Sequence, residues 1–255
     1  LKTILSGILS VLQQNRSLGE QAIDKVAEIA IASKLDESET LSVTVNTDPI
    51  QLAQGEVEAV AVEGKGLVMQ QDLRVEELQI HVKDIAVNPL TAMFGKIELN
   101  GPAFGGARAV LTESDINRAF NSEYISRKLK NLKVTVEGQL RTIDVKTIEC
   151  QLLAGKIALN AEVLVRETAS TEKIYFTAKP EIAAGGWAIS LQNVEYPENN
   201  EFSPELTEAL ADKAGEVLNL RNFELEGMSL RIQQLNVEAG LLTLQAEAKV
   251  EKFPD

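Results

Sequence analysis

His81 and Cys150 are the only histidine and the only cysteine in this 255-residue chain, so any chemistry must be built around very few groups. A histidine acts as a general base only with a nucleophile and an orienting group in hydrogen-bond reach. The acids just before it are Glu76 and Glu77. In a strand, Glu77 shares a face with His81 while Glu76 points away, and no nucleophile joins them. One histidine also cannot build the usual histidine-rich zinc site. His81 is expected to be a strand residue, facing solvent or hydrogen-bonded. Cys150 has no partner for an intrachain disulfide and sits in an alternating run, where a lone thiol serves as a small core residue. Gly64-Lys65-Gly66 lacks the third glycine and the following helix of a dinucleotide loop, and is expected to form a strand bend or tight turn. The acids of Asp36-Glu37-Ser38-Glu39 are expected on a solvated surface. No Gly-x-Ser-x-Gly, Gly-Lys-Ser/Thr or Cys-x-x-Cys motif occurs. The sequence points to no catalytic residue, no metal and no cofactor.

Composition narrows the partners. Hydrophobic residues make up 44% of the chain, enough for a real core in one large domain or two small ones. Aromatics are only 4%, so that core is aliphatic. The net charge of −13 argues against nucleic acid, whose phosphates need clustered Lys and Arg, and against simple electrostatic adhesion to anionic headgroups. No run approaches the length of a membrane-spanning helix. Leu1, Ile4, Leu5, Ile8, Leu9, Val11 and Leu12 form a short apolar stretch. Three readings of it compete: the first helix of the fold, a helix lying in a membrane interface, or the tail of a targeting segment.

The positioning elements follow from periodicity. Ile23, Val26, Ala27, Ala30 and Ile31 recur at helical spacing. Leu41, Val43 and Val45 alternate as a strand. The run from Gly55 to Met69 changes phase between Val57 and Val60, and the run from Leu78 to Val87 changes phase before Ile85, which predicts bulged or bent strands. Thr112-Glu113-Ser114-Asp115 is a capping-box-like helix start, and Ile116, Ala119, Phe120, Ile125 and Leu129 continue one helix to about Lys130, with basic residues at its end. Strands are then expected around 132–136, 157–165, 174–178 and 187–191. Ser203-Pro204-Glu205 opens another helix with Leu206 and Leu210 facing inward, followed by strands at Phe223–Leu225, Leu230–Val237 and Leu242–Val250.

A repeat runs through this pattern. Ala154-Gly155, then Leu159, Asn160-Ala161-Glu162 and Val165, return as Ala239-Gly240, then Leu244, Gln245-Ala246-Glu247 and Val250, with a weaker echo at Phe94–Asn100. Repeats point to a recurring helix-plus-strands module. The expected class is α+β: a long, curved antiparallel sheet wrapped around or packed on a few helices, with internal pseudo-repeats. Residues 20–255 are expected to form one elongated domain after the apolar segment 1–19. Several strands are apolar on both parities (Val60 and Val62 beside Val57; Leu164 beside Val163). Either helices cover the second face, or the sheet curls and lines an apolar groove suited to flexible acyl chains.

Two stretches resemble a known family. Val43-Thr-Val-Asn-Thr-Asp-Pro49, with Leu52, Gly55, Val57, Val60 and Gly64-Lys-Gly-Leu67, is similar to the opening of the LmeA-like family, a bacterial group. Val110-Leu-Thr-Glu-Ser-Asp-Ile-Asn-Arg-Ala-Phe120 resembles that family's helix start. The resemblance implies phospholipid binding at the membrane periphery of the bacterial envelope. It also implies a fold like the tubular lipid-binding domains, a curved sheet around a helix with lipid in a lengthwise groove, and no catalytic residues. The partners expected are then a phospholipid or other acyl-chain lipid and, transiently, a membrane surface. The residues expected to line the groove are Val60, Val62, Leu78, Ile80, Ile97, Leu99, Ile157 and Leu159 from strands, with Ile116 and Phe120 from the central helix. Two other readings stand beside this one. One is a structural or protein-interaction module of the envelope with a filled core. The other, the weakest, is an enzyme acting on lipid or glycan around His81.

Overall fold

The computed structural model describes residues 18–47, 49–88, 98–196, 204–217 and 227–251. The Leu1–Leu12 stretch, the echo up to Ile97 and the expected strand at Phe223–Leu225 lie outside the described residues.

The first sheet is built from β1 (Thr40–Asn46), β2 (Glu56–Met69), β3 (Leu73–Ala86) and β4 (Ala103–Thr112), joined by the C-terminal hairpin of β10 (Met228–Glu238) and β11 (Leu241–Val250). Its order is β1-β2-β3-β4-β11-β10. The second sheet runs β5 (Leu132–Val136), β6 (Gln139–Leu153), β7 (Lys156–Val165), β8 (Ser170–Ala183) and β9 (Ala188–Glu195) in sequence order. Every neighbouring pair is antiparallel. The fold is mainly antiparallel sheet, curled into a half-barrel, with few helices. Among the described residues there are two sheets where the sequence suggested one long one.

Helix α1 (Leu18–Ala32) covers the first sheet with Ile23, Ala27 and Ile31, which pack on Val43, Val45, Val57, Val62 and Ile85. The Asp24 carboxylate accepts the Val45 backbone N–H at 2.7 Å and fixes the helix along the edge strand. A short helix α2 (Pro49–Gln54) stands where only a break was expected. The two phase changes are one device. Val57 pairs with Ile85 and Ala59 with Lys83, and the rung between them, Glu58 opposite Asp84, is skipped without a register shift. Asp84 takes φ 52° there. A left-handed residue turns the following side chains over, so Ile85 and Val82 enter the same core despite opposite parity.

Strand β4 was not anticipated, because Ala103-Phe104-Gly105-Gly106 has poor strand propensity. Gly105 is required: a Cβ there would stand 2.3 Å from the His81 carbonyl oxygen on β3. The single helix expected from Thr112 to Lys130 is two, α3 (Glu113–Phe120) and α4 (Glu123–Lys128). Ser122 ends the first and caps the second, its hydroxyl accepting the Ile125 N–H at 3.2 Å.

The sheets meet at their hairpin tips. Gly155 N–H donates to the Val237 carbonyl at 2.9 Å, and Gly240 N–H donates to the Leu152 carbonyl at 3.0 Å. The duplicated Ala-Gly turns, with φ 74° and 79° at their glycines, thus hold each other reciprocally. Among the described residues the topology does not show a recurring helix-plus-strands module beyond these hairpins. Around the tips Cys150, Leu152 and Val237 form a buried cluster with Ile116, Phe120, Leu235 and Leu242.

Candidate functional site

Helix α3 sits across the joint, and its sequence accounts for its place residue by residue. The Thr112 hydroxyl accepts the Asp115 N–H at 3.1 Å, and the Asp115 carboxylate accepts the Thr112 N–H at 2.9 Å, completing the expected capping box. Among the described residues strand β5 pairs with Gln139–Ile143 of β6 alone, so the rest of that edge of β6 needs other partners. Glu113 accepts the Leu152 N–H at 2.8 Å. Asn117 accepts the Cys150 N–H at 2.7 Å and donates to the Cys150 carbonyl at 2.8 Å. Asn121 donates to the Ile148 carbonyl at 3.2 Å. Four helical residues rise about 6 Å, and two strand residues rise about 6.6 Å. Side chains spaced by four therefore stay in step with alternate strand residues, and α3 serves as a surrogate strand.

The next face of α3 reaches the first sheet. Arg74 on β3 binds Asp115 at 2.7 Å, Glu76 at 2.8 Å and Glu39 at 2.8 Å. Burial alone would raise the Asp115 carboxyl. The Thr112 N–H, the Arg74 guanidinium and the Thr112 hydroxyl outweigh it and hold the group below the usual carboxylate range.

Phe120, at the end of α3, opens onto a cavity of about 100 Å³ on the inner face of the second sheet. Its floor is Val145 and Ile148 of β6, Ile157, Leu159 and Ala161 of β7, and Ile174 and Phe176 of β8. Leu132 of β5 and Leu191 of β9 close the sides. Leu129 and helix α5 (Pro204–Val217), through Leu210 and Lys213, complete the lining. Lys213 is the only charged residue among these.

The ten residues expected to line a groove are distributed over both sheets. Phe120, Ile157 and Leu159 meet in the cavity. Ile116 packs beside them in the joint. Val60, Val62, Ile80 and Leu99 lie together in the other core, under α1. Leu78 is half-buried on β3, paired with Gly64 and Ala109. Ile97 lies outside the described residues. Sequence reasoning missed the contribution of α5. The available signal was Lys213, three residues after the inward-facing Leu210 and so on the same helical face.

None of the remaining chemistry-bearing residues lines the cavity. His81 is exposed on β3, and Glu77 is engaged by Lys65 at 3.3 Å and Arg108 at 3.5 Å. The Lys65 contact, with Arg108 behind it, lowers the Glu77 carboxyl against the effect of burial. Cys150 is buried as expected, and burial, with Glu113 adding to it, pushes its thiol up to about 12. Among the described residues no group of three His, Cys, Asp or Glu side chains could hold a metal ion, and no helix is long and apolar enough to cross a membrane.

The sequence pattern of the LmeA-like phospholipid-binding family matches residues 15–247. The chain belongs to that family. No curated protein and no solved structure matches it. The family match spans both sheets, α3 and the cavity, and the family's description is one of binding. In the Val110–Phe120 segment that resembles the family, Thr112, Glu113, Asp115, Ile116, Asn117 and Phe120 each have a geometric task at the joint.

Proposed function

We propose that the protein is a non-catalytic lipid carrier that holds the end of a phospholipid acyl chain in the cavity beneath α5. The observation that carries this reading is the cavity lining, aliphatic and phenylalanine throughout apart from Lys213. Apolar cavities of about 150 Å³ stay dry and take up benzene-sized molecules. The present volume accommodates only a few carbons, so α5 moves outward to admit more of the chain. Each methylene buried contributes about 0.8 kcal/mol. The same reading places the protein at the membrane periphery of a bacterial envelope, drawing lipid from a bilayer and returning it. The filled-core alternative has support in both sheets, where α1 packs on the valines of β1 and β2 and where Leu206 and Ala211 of α5 pack with Ile143, Val163 and Ile174; what favours the carrier reading is the cavity that interrupts the second core.

The test is native mass spectrometry of delipidated protein before and after incubation with liposomes. The expected result is bound phospholipid for the natural sequence and at least roughly tenfold less for Leu159→Trp, which fills the cavity with its own side chain. A natural-sequence protein that takes up no lipid would sink the carrier reading. Equal loading of a folded Leu159→Trp variant would move the lipid elsewhere.

A further inference from the structure

Partners on one rung of an antiparallel sheet share a face, and residues two apart on a strand keep it. On the first sheet Ile80, in the core under α1, pairs with Ala107, and Ala107 pairs with Ala246. The next rung of that face runs Leu78, Ala109, Leu244, Leu235. Leu235 packs in the joint cluster with Phe120 and Ile157, both of which line the cavity. One apolar surface therefore runs from the α1 core to the cavity lining. Its middle belongs to no core. Leu78, Ala107, Ala109, Leu244 and Ala246 are half-buried, and none of them joins a buried cluster among the described residues. No charged side chain stands on either rung. Further along β3 the same face carries Glu76 and Arg74, which pair with each other at 2.8 Å.

We propose that this strip is a second acyl-chain subsite. A phospholipid lies with one chain in the cavity and the other across Leu235, Leu244, Ala109 and Leu78. The proposal deepens the lipid-carrier reading and rests on it. Two features select an acyl chain as the occupant. The strip is apolar over three inter-strand spacings, about 14 Å, which suits a long, thin, uncharged group. It is also continuous, through Leu235 and the joint, with the cavity that takes the first chain, and a phospholipid brings two chains on one headgroup. A fully buried methylene strengthens binding about fourfold, so three or four half-covered ones give roughly tenfold. The protein should therefore select two-chain lipids over their single-chain counterparts.

The experiment is native mass spectrometry of the delipidated full chain with monomeric short-chain phosphatidylcholine and with the lysophosphatidylcholine that carries one of the same chains. The natural sequence is expected to favour the two-chain lipid by roughly tenfold or more. Ala109→Trp, which raises a side chain in the middle of the strip, should bring the two lipids within a few-fold of each other and leave lysophosphatidylcholine loading unchanged. A second measurement needs no variant. Phosphatidylcholine with a photoreactive group at the end of one chain should label the natural sequence both on the cavity strands β6–β8 and on β3, β4 or β11. Labelling confined to the second sheet overturns the subsite. So does a two-chain preference that survives in folded Ala109→Trp, or an equal loss of both lipids in that variant. Lysophosphatidylcholine loading with no preference for the second chain overturns this inference and leaves the carrier reading standing. Failure of the natural sequence to load either lipid overturns both.

Discussion

Arg74→Ala is expected to destabilise the protein by about 3–5 kcal/mol, the cost of leaving one member of a buried ion pair behind. The Asp115 side chain is 3% exposed, and Arg74 is its only cationic partner among the described residues. Lysine does not substitute, because the guanidinium serves Asp115 and Glu76 through Nη1 and Glu39 through Nη2. The pH dependence has a definite sign. The folded Asp115 carboxyl is depressed, so its stabilising contribution is present above the unfolded value of about 3.9 and is lost as pH falls through the folded value. Without Arg74 the burial effect is opposed by Thr112 alone, the carboxyl rises from its folded value, and protonation relieves the buried charge. The stability gap between the natural sequence and Arg74→Ala should therefore narrow as pH is lowered below about 4. Adding Asp115→Asn, which keeps an oxygen for the Thr112 N–H, should recover much of the loss at neutral pH. Urea unfolding at several pH values measures all of this. A constant gap across the acid range would show that Asp115 is not the group left stranded.

The second large effect is expected at Asn117. Alanine there removes both partners of the Cys150 backbone, at a residue 3% exposed. Each buried backbone group left unsatisfied costs about 1–3 kcal/mol, so Asn117→Ala should cost about 2–5 kcal/mol. Aspartate should be no better, because it keeps an acceptor for the N–H but sets a carboxylate against the Cys150 carbonyl. Amide exchange locates the damage. The Cys150 N–H should lose protection in the alanine variant while Leu159, its neighbour on β7, keeps its own. If Cys150 stays protected and the midpoint hardly moves, α3 is not acting as a surrogate strand.

Local pattern made much of the architecture legible. The period of two at Ile157, Leu159, Ala161, Val163 and Val165 is β7, the phase changes near Val57 and Ile85 mark a real departure from regular strand, and the acid after Thr112 completes a cap. What could not be read depended on partners far away in the chain. Nothing in the sequence marked Gly105 as a strand position, because its necessity lies in a carbonyl of β3, contributed by His81. Nothing in the sequence marked Asn117 as a partner for a strand, because Cys150 is thirty-three residues further on. Parity placed Val60 and Ile157 alike as inward-facing, but it could not tell that α1 covers the first while a cavity adjoins the second.

The strand order also sets a timetable for synthesis. The second sheet needs only consecutive strands and is complete in the chain by Glu195, whereas β4 waits for Leu241–Val250 before its second edge is covered. For more than a hundred residues of translation the nascent chain carries an uncovered strand edge, the kind of surface that recruits stray chains. The glycine pair at 105–106 and the charge of Arg108 fall on that edge. The same weak strand propensity that concealed β4 from the sequence makes that edge a poor template for stray strands until the β10–β11 hairpin has been made.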